Sequence, residues 1–134
     1  MAARPFDWTG FLNVARELCA RGDEAYLRTS ISRAYYYVYN IALIRAEQNG
    51  FRAIQGESTH IQLWRLFNQN PEPECVRLGE IANRLKERRE KADYRSTYLR
   101  IQEEAKDVLE QAHDFARRLE GLATRHPSPS SVRR

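Results

Sequence analysis

Cysteine and histidine are scarce in this chain, and their scarcity closes off several kinds of chemistry. Only Cys19 and Cys75 occur among 134 residues, and His60, His113 and His126 stand at no metal-ligand spacing from them. That is too little for a disulfide scaffold or a structural zinc site. Both cysteines read as reduced packing residues, and no metal or cofactor is expected. There is no glycine-rich phosphate loop, no serine elbow and no recognisable pair of carboxylates. Long apolar runs are missing as well. No window reaches the roughly 20 apolar residues that a bilayer needs, and residues 1–7 contain no stretch of signal-peptide kind. No membrane partner is expected, and the cytoplasm is the expected compartment.

Strand alternation and internal repeats are also missing, whereas helical periodicity is plain. Trp8, Phe11, Leu12, Ala15, Leu18 and Cys19 recur at the spacing of one helix face. Asp7 is the expected N-cap, Gly22 the residue past the end, and Asp23 the start of a second helix running from about Glu24 to Asn49. Residues 51–57 read as a loop. Ser58 is placed to cap a short third helix carrying Ile61, Leu63, Trp64 and Phe67, which Pro71 and Pro73 close. A fourth helix carries Val76, Leu78, Ile81, Ala82, Leu85 and Ala92. Ser96 is a candidate cap for a fifth, with Ile101, Ala105, Val108, Leu109, Ala112, Phe115, Ala116 and Leu119 on its apolar face. The expected fold is all-α, an antiparallel bundle of four to five helices with a long central second helix, occupying residues 1–121. Residues 122–134, rich in proline and serine, read as a flexible tail.

Charge gives a first hint of function. Lys and Arg number 22 against 18 Asp and Glu, a net +4, and residues 84–95 hold six of the basic residues against three acidic ones, +3 of that surplus. Arg84, Arg88, Arg89, Lys91 and Arg95 make this stretch a candidate surface for nucleic acid.

Two helices carry unusual side chains. The second is apolar on two sides: Leu27, Ile31, Ala34, Val38 and Ala42 form one stripe, and Tyr36, Tyr39 and Leu43 cluster on roughly the opposite one. Tyrosine suits interfaces, so Tyr36, Tyr39 and Leu43 are candidate dimer contacts. On the fourth helix Arg89 falls on the apolar seam with Leu78, Ala82 and Leu85. A guanidinium there must find a carboxylate, snorkel or face a wet cleft. Asp93, at i+4, is the ordinary partner; a phosphate held by the donor fork is the functional alternative.

The segment from Arg28 to Ala42, with its serine, arginine, alanine and paired tyrosines, resembles the long second helix of prokaryotic HEPN domains (higher eukaryotes and prokaryotes nucleotide-binding). The stretches from Gly56 to His60 and from Leu85 to Tyr94 resemble the same family in the same order, so the likeness spans roughly residues 7–120. It implies a bundle of four or five helices, a homodimer or heteromeric complex, and a place in prokaryotic toxin–antitoxin or defence systems. It also implies, for many active members, metal-independent RNA cleavage by an arginine and a histidine four to six positions beyond it. The ribose 2′-hydroxyl attacks phosphorus, the imidazole moves a proton, and the arginine stabilises the phosphorane.

Arg89 matches the arginine of that motif, but Tyr94 stands where the histidine belongs, and no histidine lies between Arg89 and His113. A phenol with an ordinary pKa near 10 is a poor base at neutral pH. The leading expectation is an RNA- or nucleotide-phosphate-binding domain, catalytically impaired. A ribonuclease using Arg89 with Tyr94 or His60 is the second reading, and a dimerisation module with Arg89 tied to Asp93 the third. By the same resemblance, Tyr94 or Tyr98 would be a target for a partner nucleotidyltransferase.

Overall fold

A computed structural model describes residues 4–131. Five α-helices follow one another: α1 (Thr9–Arg21), α2 (Glu24–Gln48), α3 (Thr59–Asn68), α4 (Pro73–Tyr94) and α5 (Ile101–Gly121), with a final 3₁₀ turn at Pro129–Ser131. The all-α bundle with a long central helix is therefore what forms, with no strand among the described residues. None of the helices is long and apolar enough to cross a membrane.

Turn chemistry explains the early joints. Gly22 adopts φ 79°, the left-handed conformation in which glycine carries no Cβ penalty, and ends α1. Asp23 then starts α2 in extended backbone, so α1 and α2 pack as a hairpin. Asp7 works one position earlier than an N-cap: its Oδ1 accepts from the Thr9 amide at 3.0 Å, while Trp8 is the capping residue. Pro73 does not merely close α3. It occupies the first turn of α4, where its missing N–H costs no intrahelical bond.

Helix α2 touches all four other helices, which explains a stripe of Leu27, Ile31, Ala34, Val38 and Ala42 that is wholly buried. Tyr35 and Tyr37 are buried with it. Trp64 and Phe67 of α3, Leu78, Ile81 and Leu85 of α4, and Val108 and Phe115 of α5 fill the centre. At the α3–α4 approach a Cβ on Gly79 would fall 2.1 Å from Asn68 Oδ1, so glycine lets the end of α3 sit close. Cys75 is buried and Cys19 partly so, both free thiols. Burial pushes the Cys75 thiol up to about 11.

Two arginines of α2 close the far ends of other helices. Arg28 donates to the carbonyls of Ala92 (2.9 Å), Arg95 (2.6 Å) and Ser96 (3.3 Å) just where α4 stops. Arg45 donates to Leu119 (2.8 Å), Leu122 (3.3 Å) and His126 (3.1 Å) where α5 stops. A helix C-terminus leaves carbonyls without intrahelical partners and carries partial negative charge, so a cation there answers both needs.

These two caps explain both departures from the expected boundaries. Ser96 does not cap α5; its carbonyl is bound by Arg28 and Tyr98 is buried nearby. The helix starts only at Ile101, after Arg100 in a left-handed turn at φ 58°. Residues 122–131, expected as a flexible tail, instead turn back along the bundle. Arg45 and Asn49 bind the carbonyls of this segment, and Leu122 and Pro127 are buried. Residues 132–134 lie outside the described part.

Candidate phosphate-binding site

The middle of α2, the start of α3 and the C-terminal half of α4 meet around a knot of aromatic rings. Tyr35 and Tyr39 are one turn apart on α2, and His60 and Trp64 one turn apart on α3, so the two pairs face each other. The Tyr39 and His60 rings stack with centroids 3.8 Å apart and planes 10° apart. Trp64 Nε1 donates to the Tyr35 hydroxyl at 3.0 Å, and that hydroxyl lies 2.6 Å from His60 Nδ1.

Arg89 enters this knot from α4. Its guanidinium carbon sits 5.4 Å from the Tyr35 ring centre and 5.6 Å from that of Tyr36, within cation–π range. The side chain is only 11% exposed, and the expected i+4 partner Asp93 does approach it, with Oδ2 at 3.6 Å from Nη1. That separation is an ion pair beyond hydrogen-bonding distance. Nε is buried and bonds to nothing among the described residues. A groove of about 680 Å³ opens alongside, lined by Glu87, Arg89, Glu90, Lys91, Tyr94 and Arg95.

His60, which sequence spacing leaves far from Arg89, lies against the same tyrosines. Burial, then the charges of Arg89 and Lys86, push its pKa down from 6.5 to about 4, so the ring is neutral at physiological pH. It stands in the first turn of α3, where no side chain caps the helix and no acidic residue occupies that turn. The positive end of the helix dipole adds to the same field.

The other expected site residues divide. Lys91 and Arg95 line the groove with Arg89. Arg88 does not: it reaches across to α5, 2.6 Å from Asp107 and 3.6 Å from Glu104, and is engaged in joining the two helices. Arg84 is exposed farther up α4, away from the groove lining. Two glutamates share that lining, so the groove is less basic than the sequence stretch implies. Tyr94 is 78% exposed at its edge. Tyr98 is buried, with a hydroxyl that bonds to nothing among the described residues, which removes it as an accessible modification target. Tyr36, Tyr39 and Leu43 are half-buried within their own chain. Arg33, stacked on Phe11 and Tyr36 at 4.9 and 5.2 Å, covers part of this face. His113 is exposed on α5, and His126 lies 3.9 Å from Glu72.

Sequence reasoning missed Tyr35 and Trp64. The paired i, i+4 spacings of Tyr35 with Tyr39 and His60 with Trp64 were the signal that could have found them. Among the described residues no three His, Cys, Asp or Glu side chains are grouped to hold a metal ion. Compared with protein-family models, with curated proteins and with solved structures, the chain matches none.

Proposed function

We propose that this domain binds RNA or a nucleotide phosphate at Arg89, in the manner of a HEPN-like domain that works in a prokaryotic toxin–antitoxin or defence complex. The observation that carries the reading is the state of Arg89. A guanidinium this deeply placed costs several kcal/mol of desolvation unless its donors are met, yet its one carboxylate stands off at 3.6 Å and its Nε is unmet. A phosphate in the adjoining groove, which Arg89 lines, would supply acceptors to those guanidinium donors that the groove reaches. Lys91 and Arg95 would add longer-range attraction, and the uncapped start of α3 a further positive pole. A second copy, or a nucleotidyltransferase-type partner, would cover Tyr36, Tyr39 and Leu43 and complete the groove.

Binding is favoured over cleavage by the condition of His60. Strand scission through the 2′-hydroxyl needs a base, and a neutral imidazole with a pKa near 4 is a weak one. The test is a titration of labelled single-stranded RNA at several salt concentrations, with EDTA present throughout. Intact RNA, bound by the wild type with a salt slope that falls by about one on Arg89→Ala, is the expected result. Equal affinity and slope in the two proteins would remove the proposal. Products ending in 2′,3′-cyclic phosphate, absent with Arg89→Ala, would replace it with the ribonuclease reading.

A further inference from the structure

The hydrogen bonds around Tyr35 have a direction that their chemistry dictates. An indole N–H only donates, so at Trp64 the Tyr35 oxygen is the acceptor. The hydroxyl's own proton then needs an acceptor, and Tyr35 is fully buried. Among the described residues His60 Nδ1, at 2.6 Å, is the one other group that bonds to it. Were Nδ1 protonated instead, the tyrosine proton would be left buried and unpaired, at a cost of about 1–3 kcal/mol. The proton of the neutral imidazole therefore sits on Nε2, which makes no hydrogen bond within the described chain.

We infer that the Tyr35 hydroxyl is a positioning group: it holds His60 as the Nε2–H tautomer, so that the free edge of the ring is a hydrogen-bond donor rather than a proton acceptor, on the same tyrosines that Arg89 packs against. The tautomer rests only on the Trp64, Tyr35 and His60 geometry; its consequence for binding rests on the phosphate reading of Arg89. The groups packed around the ring agree with it. Tyr35, Tyr36 and Tyr39 face it from α2 and Trp64 is its neighbour on α3. The charged groups that act on it, Arg89 and Lys86 of α4, are both cations and oppose an imidazolium. A donor pair made of a permanent cation and a neutral N–H attracts phosphate without a pH-dependent partner.

Long-range proton–nitrogen correlation spectra of the full chain with ¹⁵N-labelled histidine read the tautomer directly. His60 is expected to show a bare Nδ1 and a protonated Nε2 from pH 5 to pH 8. Tyr35→Phe should mix the tautomers and weaken binding of the labelled RNA by about three- to tenfold, the loss of one ordinary hydrogen bond's orientation. Trp64→Phe, which removes the indole donor that makes the Tyr35 oxygen an acceptor, should mix the tautomers to a smaller extent than Tyr35→Phe. A protonated Nδ1 in the wild type overturns the inference, as does a Tyr35→Phe protein with the wild-type tautomer ratio. If the wild type binds no RNA, the phosphate reading fails while the spectrum still decides the tautomer; if Tyr35→Phe does not fold, the wild-type spectrum and Trp64→Phe decide it.

Discussion

Arg28 and Arg89 both lie in the seam between α2 and α4, and both are mostly hidden from water, yet they are treated differently. Arg28 spends its donors on the carbonyls that end α4, at 2.9, 2.6 and 3.3 Å. Arg89 has a carboxylate at 3.6 Å, two aromatic faces and a buried Nε that bonds to nothing among the described residues. A guanidinium whose Nη groups the fold itself bonds is architecture, because the chain supplies the compensation for desolvation. One whose bonds are incomplete marks a place where a ligand would improve the energy.

Substitutions that keep the apolar stem but delete the charge would break or sharpen this contrast. Arg28→Met should cost the most stability, about 2–4 kcal/mol in denaturant unfolding, because it removes several charge-assisted bonds at once from the carbonyls that end α4. Arg89→Met should weaken RNA binding by about ten- to a hundredfold, the worth of a bond to a charged group. A smaller effect is expected from pH. Unfolded histidine takes a proton near 6.5, whereas folded His60 takes one only near 4. Between those values the unfolded state binds more protons, so the stability held above about 6.5 drains away as pH falls towards 4. After allowance for solvent screening this amounts to about 1–2 kcal/mol, visible as the difference between wild type and His60→Gln across that window. Smallest of all, Lys91→Ala should lower the salt slope of RNA binding by less than one, with stability unchanged, whereas Arg88→Ala should lower stability by about 1 kcal/mol and leave binding alone.

The helices were legible because their apolar residues keep a period of 3.6 over several turns, and because Gly22, Asp23 and the prolines punctuate them. The late start of α5 and the packed segment after it were not. Each depends on one arginine reaching from α2 to carbonyls 64 to 81 positions away in sequence, and no local pattern announces such a reach. The same holds for the site. The position of Arg89 on an apolar seam, and its i+4 partner, followed from counting along one helix. That Arg88, its neighbour, would be drawn to Asp107 and Glu104 depended on how α4 and α5 were rotated against each other. His60 came to lie against the tyrosines that Arg89 also packs on only because α3 folds back over Tyr35 and Tyr39, a tertiary fact that sequence separation hides.

Arg89→Met offers the most direct test when its unfolding free energy and its RNA affinity are measured on the same preparation. A ligand-directed arginine predicts stability within about 0.5 kcal/mol of wild type, or higher since an ill-paired charge leaves the interior, together with lost binding. A fall in stability as large as that of Arg28→Met, with RNA affinity untouched, would make Arg89 one more structural cation and leave the groove beside it without a role.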